Sequence, residues 1–299
     1  MVLRVTDKAL LRRRLARAHA RAAPGADFLI NHVVADLADR LASVGRHFDI
    51  AVAFAGQTGT LAAALAESGK VGRVFRIEPA AAAFGSTQAG AVADEEALPL
   101  APASIDLFAS ALALQWTNDL PGALVQIRQA LKPDGLFLAA VTGGRTLFEL
   151  REALTAAETE ISGGTSPRVL PAADVRDVGA LLQRAGFALP VADRDVLTVR
   201  YDDAFRLFRD LRAMGATNVL VERERRPATR LLFMRAAEFY AERFSDPDGR
   251  VRASFEIVSL SGWAPHESQQ QPARRGSGKV SLAKVLGSGK PTPQGEVDG

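Results

Sequence analysis

The sequence predicts an α/β protein built on a mostly parallel sheet with helices on both faces. Short apolar runs of strand length recur between residues 49 and 141, amphipathic stretches of helical length separate them, and clusters of Gly, Pro and Asp punctuate the joins. In such sheets ligands bind outside the carboxyl ends of the strands, where strand order reverses. The loops that follow strands are therefore where chemistry is sought.

The strand candidates are Ile50–Ala55, Arg73–Ile77, Gln88–Val92, Ile105–Leu112 and Leu136–Val141. Between the first two, Thr58–Ser68 reads as a helix that Gly69 stops. Asp119–Leu131 is a helix with Asp119 as its cap, Pro121 in the first turn and Lys132-Pro133-Asp134-Gly135 as its end. After Thr146, helices are expected at Leu147–Ile161, Ala172–Ala185, Ala204–Met214 and Ala228–Phe244, with a strand pair running to Tyr201 and a last strand at Arg252–Leu260. Phe205, Phe208, Phe233 and Tyr240 recur at helical spacing and are expected in the core. Three parts result: an N-terminal helical segment over 1–45, a sheet domain over 46–268 with a helical cover from about 146 to 250, and a polar tail over 269–299 that cannot build a core.

Composition removes several function classes. Of 299 residues 47% are hydrophobic and 24% charged, which excludes collagen-like and wholly disordered chains. The absence of cysteine excludes disulfides, thiolate zinc sites, iron–sulfur ligation and cysteine nucleophiles, and four histidines argue against a histidine-rich metal centre. No metal is expected. A net charge of +3, with no basic stripe interleaved with aromatics, gives no reason to expect nucleic acid. No apolar run reaches the roughly 18–20 residues needed to cross a bilayer. Leu10–Ala23 (LLRRRLARAHARAA) has the composition of a mitochondrial transit peptide and also the pattern of a packed amphipathic helix. Because the apolar pattern runs on into Phe28–Leu41, the packed helix is favoured and a cytoplasmic location is expected.

The first strand–loop–helix junction holds Gly56, Thr58 and Gly59, where bare backbone can approach a ligand at a helix N-terminus. The spacing is neither G-x-G-x-x-G nor a P-loop, which argues against a nicotinamide-dependent oxidoreductase. Glu78, about 20 residues beyond the glycines, ends the second strand as an acid that can accept bonds from ribose hydroxyls. Asp94, Glu95 and Glu96 follow the third strand. After the fourth, Ala111–Asp119 (ALALQWTND) brings Gln115, Trp116, Asn118 and Asp119 to the mouth of the presumed cleft.

The order of the glycine loop, Glu78, Asp94-Glu95-Glu96-Ala97-Leu98-Pro99, Leu114-Gln115-Trp116 and Leu131-Lys132-Pro133-Asp134-Gly135 resembles the class I S-adenosylmethionine-dependent methyltransferases. Within them the chain looks like the branch holding malonyl-carrier-protein methyltransferases and the mitochondrial complex I assembly factor 5. Trp116–Pro121, Gly143–Arg151, Ala157–Glu160 and Gly262-Trp263-Ala264-Pro265-His266-Glu267-Ser268-Gln269 carry the likeness to the assembly factor. The resemblance implies a Rossmann-like seven-stranded sheet with the last strand antiparallel. It implies S-adenosylmethionine over Gly56, Thr58 and Gly59, ribose on Glu78, adenine near Asp94 and Glu95, and Ala111 and Gln115 in the same site. Asp119 and His266 are its candidate catalytic groups, and Trp116, Asn118 and Trp263 its substrate contacts. It also implies a protein substrate, such as a complex I subunit, and either a methyltransferase or, as in the assembly factor, an arginine hydroxylase; a non-catalytic assembly factor is the alternative.

One departure stands out. The first motif of the family is usually Leu-Asp-Leu-Gly-Cys-x-Thr-Gly, and here Ala53 replaces the aspartate and Ala55 the first glycine. Losing a charge-assisted hydrogen bond costs roughly 1.5–3 kcal/mol, about 10- to 100-fold in affinity.

Overall fold

The computed structural model describes residues 4–55, 58–84 and 90–270. Helices α1 (Lys8–Arg21) and α2 (Phe28–Ser43) precede the sheet. Strands β1 (Phe48–Phe54), β2 (Val71–Glu78), β3 (Gly90–Val92), β4 (Ile105–Ala111) and β5 (Leu131–Thr142) follow, with α3 (Thr60–Glu67) between β1 and β2 and α4 (Leu120–Ala130) between β4 and β5. The remaining elements are α5 (Phe148–Ser162), α6 (Val175–Arg184), β6 (Ala188–Tyr201), α7 (Ala204–Ala213), α8 (Arg230–Phe244) and β7 (Val251–Trp263). These belong to a compact unit that ends at His266; a second unit begins at Glu267, and its described residues, 267–270, form a turn.

The seven strands make one sheet in the order β3-β2-β1-β4-β5-β7-β6. β1 to β5 are mutually parallel, and β7 runs antiparallel to both β5 and β6. Strand order reverses between β1 and β4, which makes their carboxyl ends the expected ligand edge.

Alternation along the strands builds two cores. Ala51, Ala53, Leu107, Ala109 and Leu138 face the side covered by α2, α3, α5 and α8. Val52, Phe54, Phe108, Phe137 and Ala139 face the side covered by α4 and α6. On that second side Phe54, Phe108, Phe137 and Phe187 form a row with centroid spacings of 5.6, 6.2 and 5.1 Å. Such contacts add about 0.5–1.5 kcal/mol each beyond burial and tie β1, β4 and β5 together on the face that α4 and α6 cover.

Two expectations are corrected. The strand pair before Tyr201 is a single 14-residue strand, β6, because β7 pairs with it antiparallel from Val251 to Trp263, with one irregularity between Ala188 and Val191. The last strand runs past Leu260 to Trp263, since β5 pairs with it down to Leu136. The Lys132–Gly135 turn holds: pairing jumps from Ile105–Leu131 to Leu107–Leu136, so the four residues between loop out around a left-handed Asp134 (φ 64°). Gln88 and the tail from Gln271 onward lie outside the described residues.

Ala55 also adopts a left-handed backbone, φ 51°, while buried and hydrogen-bonded through its amide to the Ile77 carbonyl at 2.7 Å. A side chain in that region costs about 1–2 kcal/mol that glycine avoids. Ala55→Gly is therefore expected to raise stability by about 1 kcal/mol, read as a higher urea midpoint at unchanged slope. A lower midpoint would show that the turn carries no strain.

Candidate functional site

A cavity of about 540 Å³ opens at the carboxyl ends of β1, β4 and β5. Its floor is the strand edge, at Thr58, Leu112 and Thr142; its roof is the end of α1 and the turn into α2, at Ala18, His19, Ala22 and Asp27. Its volume falls in the range of small-molecule sites, roughly 300–1,000 Å³.

Local chemistry fixes the roof. Asp7 caps α1 by accepting from the Leu10 amide at 3.0 Å, which holds its carboxyl below the usual carboxylate range against the opposing effect of burial, with Arg223 helping. Leu11 and Leu15 are buried against Val219 and Trp116. The segment before α1 is zipped into the body: Asn118 Oδ1 accepts from the Val5 and Thr6 amides at 2.8 Å each, and its Nδ2 donates to the Thr6 carbonyl at 3.2 Å. The Asp7 amide donates to the Val219 carbonyl and the Val221 amide to the Val5 carbonyl. On the other flank Lys8 pairs with Glu95 and Arg12 with Asp94. Burial pulls the Lys8 ammonium below its ordinary range, while Asp94 and Glu96 pull the other way. The Arg-rich segment is thus a packed helix and a wall of the site.

The far wall follows β5. Thr146 Oγ1 donates to the Glu256 carbonyl and accepts from the Glu256 amide, and the Arg145 amide donates to Glu256 Oε2 at 2.7 Å. A side chain at Gly143 would meet Glu256 Cγ at 2.7 Å, which explains glycine there. Buried Glu149 accepts from Ser254, both Oγ (2.5 Å) and amide (3.2 Å), tying the start of α5 to β7.

Of the residues singled out in the sequence, Thr58, Gln115 and Trp116 line the cavity. Gln115 Nε2 donates to the Leu112 carbonyl at 2.8 Å, while its buried Oε1 has no hydrogen-bond partner among the described residues. Gly59 holds φ 83° at the start of α3, and Ala111 is fully buried at the end of β4. Gly56 lies outside the described residues. Glu78 ends β2 but is 1% exposed, its Oε1 held by Arg76 at 2.7 and 3.1 Å. Asp94 and Glu95 face α1 through their ion pairs.

Of the remaining candidates, Asp119 holds the cap position expected of it, and three others lie away from the cavity lining. Asp119 caps α4, its Oδ1 accepting from the Gly122 amide at 2.9 Å. Asn118 spends its side chain on the N-terminal segment. Trp263 and His266 are not at the ligand edge. β7 is antiparallel, so its carboxyl end pairs with Leu136 at the start of β5, whereas Thr142 at the ligand edge pairs with Ile257. Six strand positions separate the two, about 20 Å. Trp263 packs instead under the Arg46 guanidinium, 5.3 Å from the ring centroid, and His266 is exposed beyond it.

Sequence reasoning missed His19. It continues the buried stripe of Leu11 and Leu15 at a spacing of four, a signal that was present in the helix pattern. Burial, with Arg76 adding to it, lowers its pKa, so the imidazole is neutral at pH 7. A histidine that resists protonation only in the fold binds fewer protons than the unfolded chain below pH about 6.5. The penalty is absent above that value and grows as the pH falls. Stability should therefore drop on acidification more in the parent than in His19→Gln, measured by denaturation midpoints from pH 7.5 to 5; parallel curves would contradict the shift.

A parallel sheet in this order with one antiparallel insertion, and a cavity at its switch point, define the class: a methyltransferase-like enzyme of the S-adenosylmethionine-dependent type. The methyltransferase-domain family matches residues 50–139. Over 275 residues the chain is 38% identical to arginine-hydroxylase NDUFAF5, mitochondrial, of Danio rerio, covering 88% of this chain and 84% of that one. Against the Homo sapiens protein it is 39% identical over 265 residues, covering 87% of this chain and 76% of that one. The chain belongs to the NDUFAF5 family. It is also 40% identical over 172 residues to a malonyl-[acyl-carrier protein] O-methyltransferase of Xylella fastidiosa, covering 58% of this chain and 56% of that one. Among solved structures, the YcgJ protein of Bacillus subtilis shares the fold at a TM-score of 0.54 and 13% identity, covering 79% of this chain and 99% of its own. The relatives named as mitochondrial overturn the cytoplasmic expectation.

Proposed function

We propose that the protein is an S-adenosylmethionine-dependent transferase that acts on an arginine-bearing protein substrate, in the context of respiratory complex I assembly. The observation that carries this is the switch-point cavity with Gln115 Oε1 buried in its wall as an acceptor with no donor among the described residues. A buried acceptor left unpaired costs about 1–3 kcal/mol, which a ligand amine or hydroxyl offsets. Position, volume and this acceptor fit an adenosyl sulfonium. When bound, that group supplies a methyl already activated by positive sulfur.

The chain's own residues bind and orient. Gln115 and Thr58 offer polar contacts to the ligand, and Leu112, Leu147 and Phe255 exclude water from one side; Glu78, buried at the end of β2, is the candidate for the ribose. α1 closes the top. His19, neutral at pH 7, is the candidate to take a proton from the acceptor side chain. The arginine-hydroxylase name of the relatives supports arginine as the acceptor. With Ala53 in place of the usual aspartate, the site relies on fewer charged contacts than its family does.

The test is incubation of the protein with methyl-tritiated S-adenosylmethionine and a mitochondrial protein extract. Tritium in the protein fraction, lost in Gln115→Ala, supports transfer. A protein gaining one oxygen without tritium replaces methyl transfer by hydroxylation, and neither product replaces it by a non-catalytic role.

A further inference from the structure

Beside the cavity, and sharing Trp116, Leu147 and Leu211 with it, runs a second hollow of about 760 Å³. Its apolar floor includes Leu150, Leu154, Phe208 and Phe233; of the aromatics expected in the core, Tyr240 is fully buried, Phe208 packs against the core while lining the groove, and Phe205 is exposed. Its rim is crowded with arginine. Arg168 and Arg223 are neutralised, by Glu158 at 2.6 Å and Asp7 at 3.1 Å. Arg14, Arg17, Arg21, Arg212, Arg225 and Arg226 have no carboxylate within ion-pair distance among the described residues. Burial, then Arg223 and Arg17, pull Arg14 below the usual guanidinium range. Among the described residues that line the hollow, the one acid is Glu224.

Like charges converge there from three separate parts of the chain: α1, α7 and the 223–226 turn. Such crowding is unfavourable by itself and is relieved by an anionic partner. The floor calls for apolar side chains as well, which a free anion lacks. We propose that this groove binds an acidic, amphipathic segment of the protein substrate, with carboxylates on the arginine rim and apolar side chains on Phe208 and Phe233, so that a neighbouring side chain of the same partner enters the cavity past Trp116. The inference rests on the protein-substrate reading above and names the chemistry of the substrate.

The test uses the full chain and three probes: a fluorescent peptide alternating Glu with Leu, its Gln-for-Glu counterpart, and phosphatidylglycerol vesicles. The acidic peptide is expected to bind, the Gln peptide at least tenfold more weakly, and the triple variant Arg17→Glu, Arg21→Glu, Arg212→Glu to lose the acidic peptide at least tenfold. These three side chains are exposed, so folding is checked simply by an unchanged melting midpoint. Equal binding of both peptides, or an unaffected triple variant, overturns the proposal. Tight arginine-dependent vesicle binding without peptide binding replaces it with a membrane surface. S-adenosylhomocysteine titrated into the same samples separates failure of the groove from failure of the cavity: retained heat with no peptide binding sinks the groove alone.

Discussion

Glu78→Ala is expected to destabilise the protein by about 3–5 kcal/mol, the cost of stranding a buried charge. Arg76 is 4% exposed and Glu78 1%, and their side chains lie on the same face of β2, two residues apart. The guanidinium also donates to the Ala83 carbonyl at 3.0 Å and lies 5.2 Å from the Phe84 ring, and neither of these groups carries a formal charge. Replacing both partners by leucine should cost far less, because the desolvation of two ions is removed together. Urea denaturation of the two single variants and the double completes the cycle. A loss below about 1 kcal/mol for Glu78→Ala would mean that the pair is effectively solvated. The outcome also governs how binding data are read. Glu78→Gln, which keeps the shape, is the better probe of ribose contact, since Glu78→Ala changes fold and site at once.

Asn118→Ala should release the roof. It removes two accepted bonds of 2.8 Å and one donated bond of 3.2 Å that fasten residues 5 and 6 to the loop after β4. At about 1 kcal/mol each, the loss is about 2–3 kcal/mol. The amides of Val5 and Thr6 are then expected to exchange about 30- to 100-fold faster. Because α1 follows directly and forms the top of the cavity, affinity for a ligand beneath it should fall in parallel. Asn118→Asp keeps both accepted bonds and loses only the donated one, so it should lie between. Unchanged exchange at residues 5 and 6 would show that the β-bridge of Thr6 to Leu220 holds the segment alone.

The parallel half of the sheet was legible because each of its strands is an apolar run closed by turn residues, and the crossover helix α4 announces its cap at Asp119. The antiparallel direction of β7 came from the resemblance and is borne out, but the local pattern does not show it. An alternating strand looks the same read either way, and only its pairing with Leu136 through Thr142 shows that Trp263 and His266 end at the edge away from the cavity. A distinctive motif offered for catalysis and substrate contact thus lies away from the cavity. Asp94 and Glu95 were legible as acids in the loop after the third strand, but their partners Arg12 and Lys8 come from more than 80 positions away, a distance that local pattern cannot bridge. The same holds for Arg76, whose spacing of two from Glu78 places both on one face without revealing how deeply that face is buried. His19 was within reach, since it extends the Leu11–Leu15 stripe.

Calorimetric titration of the full chain with S-adenosylhomocysteine bears most directly on the switch-point cavity. A single site with a Kd in the micromolar range, about −8 kcal/mol, weakened at least tenfold in Gln115→Ala, is the expected result. A flat titration at millimolar ligand would mean that Ala53 and Ala55 have removed the cofactor from this fold.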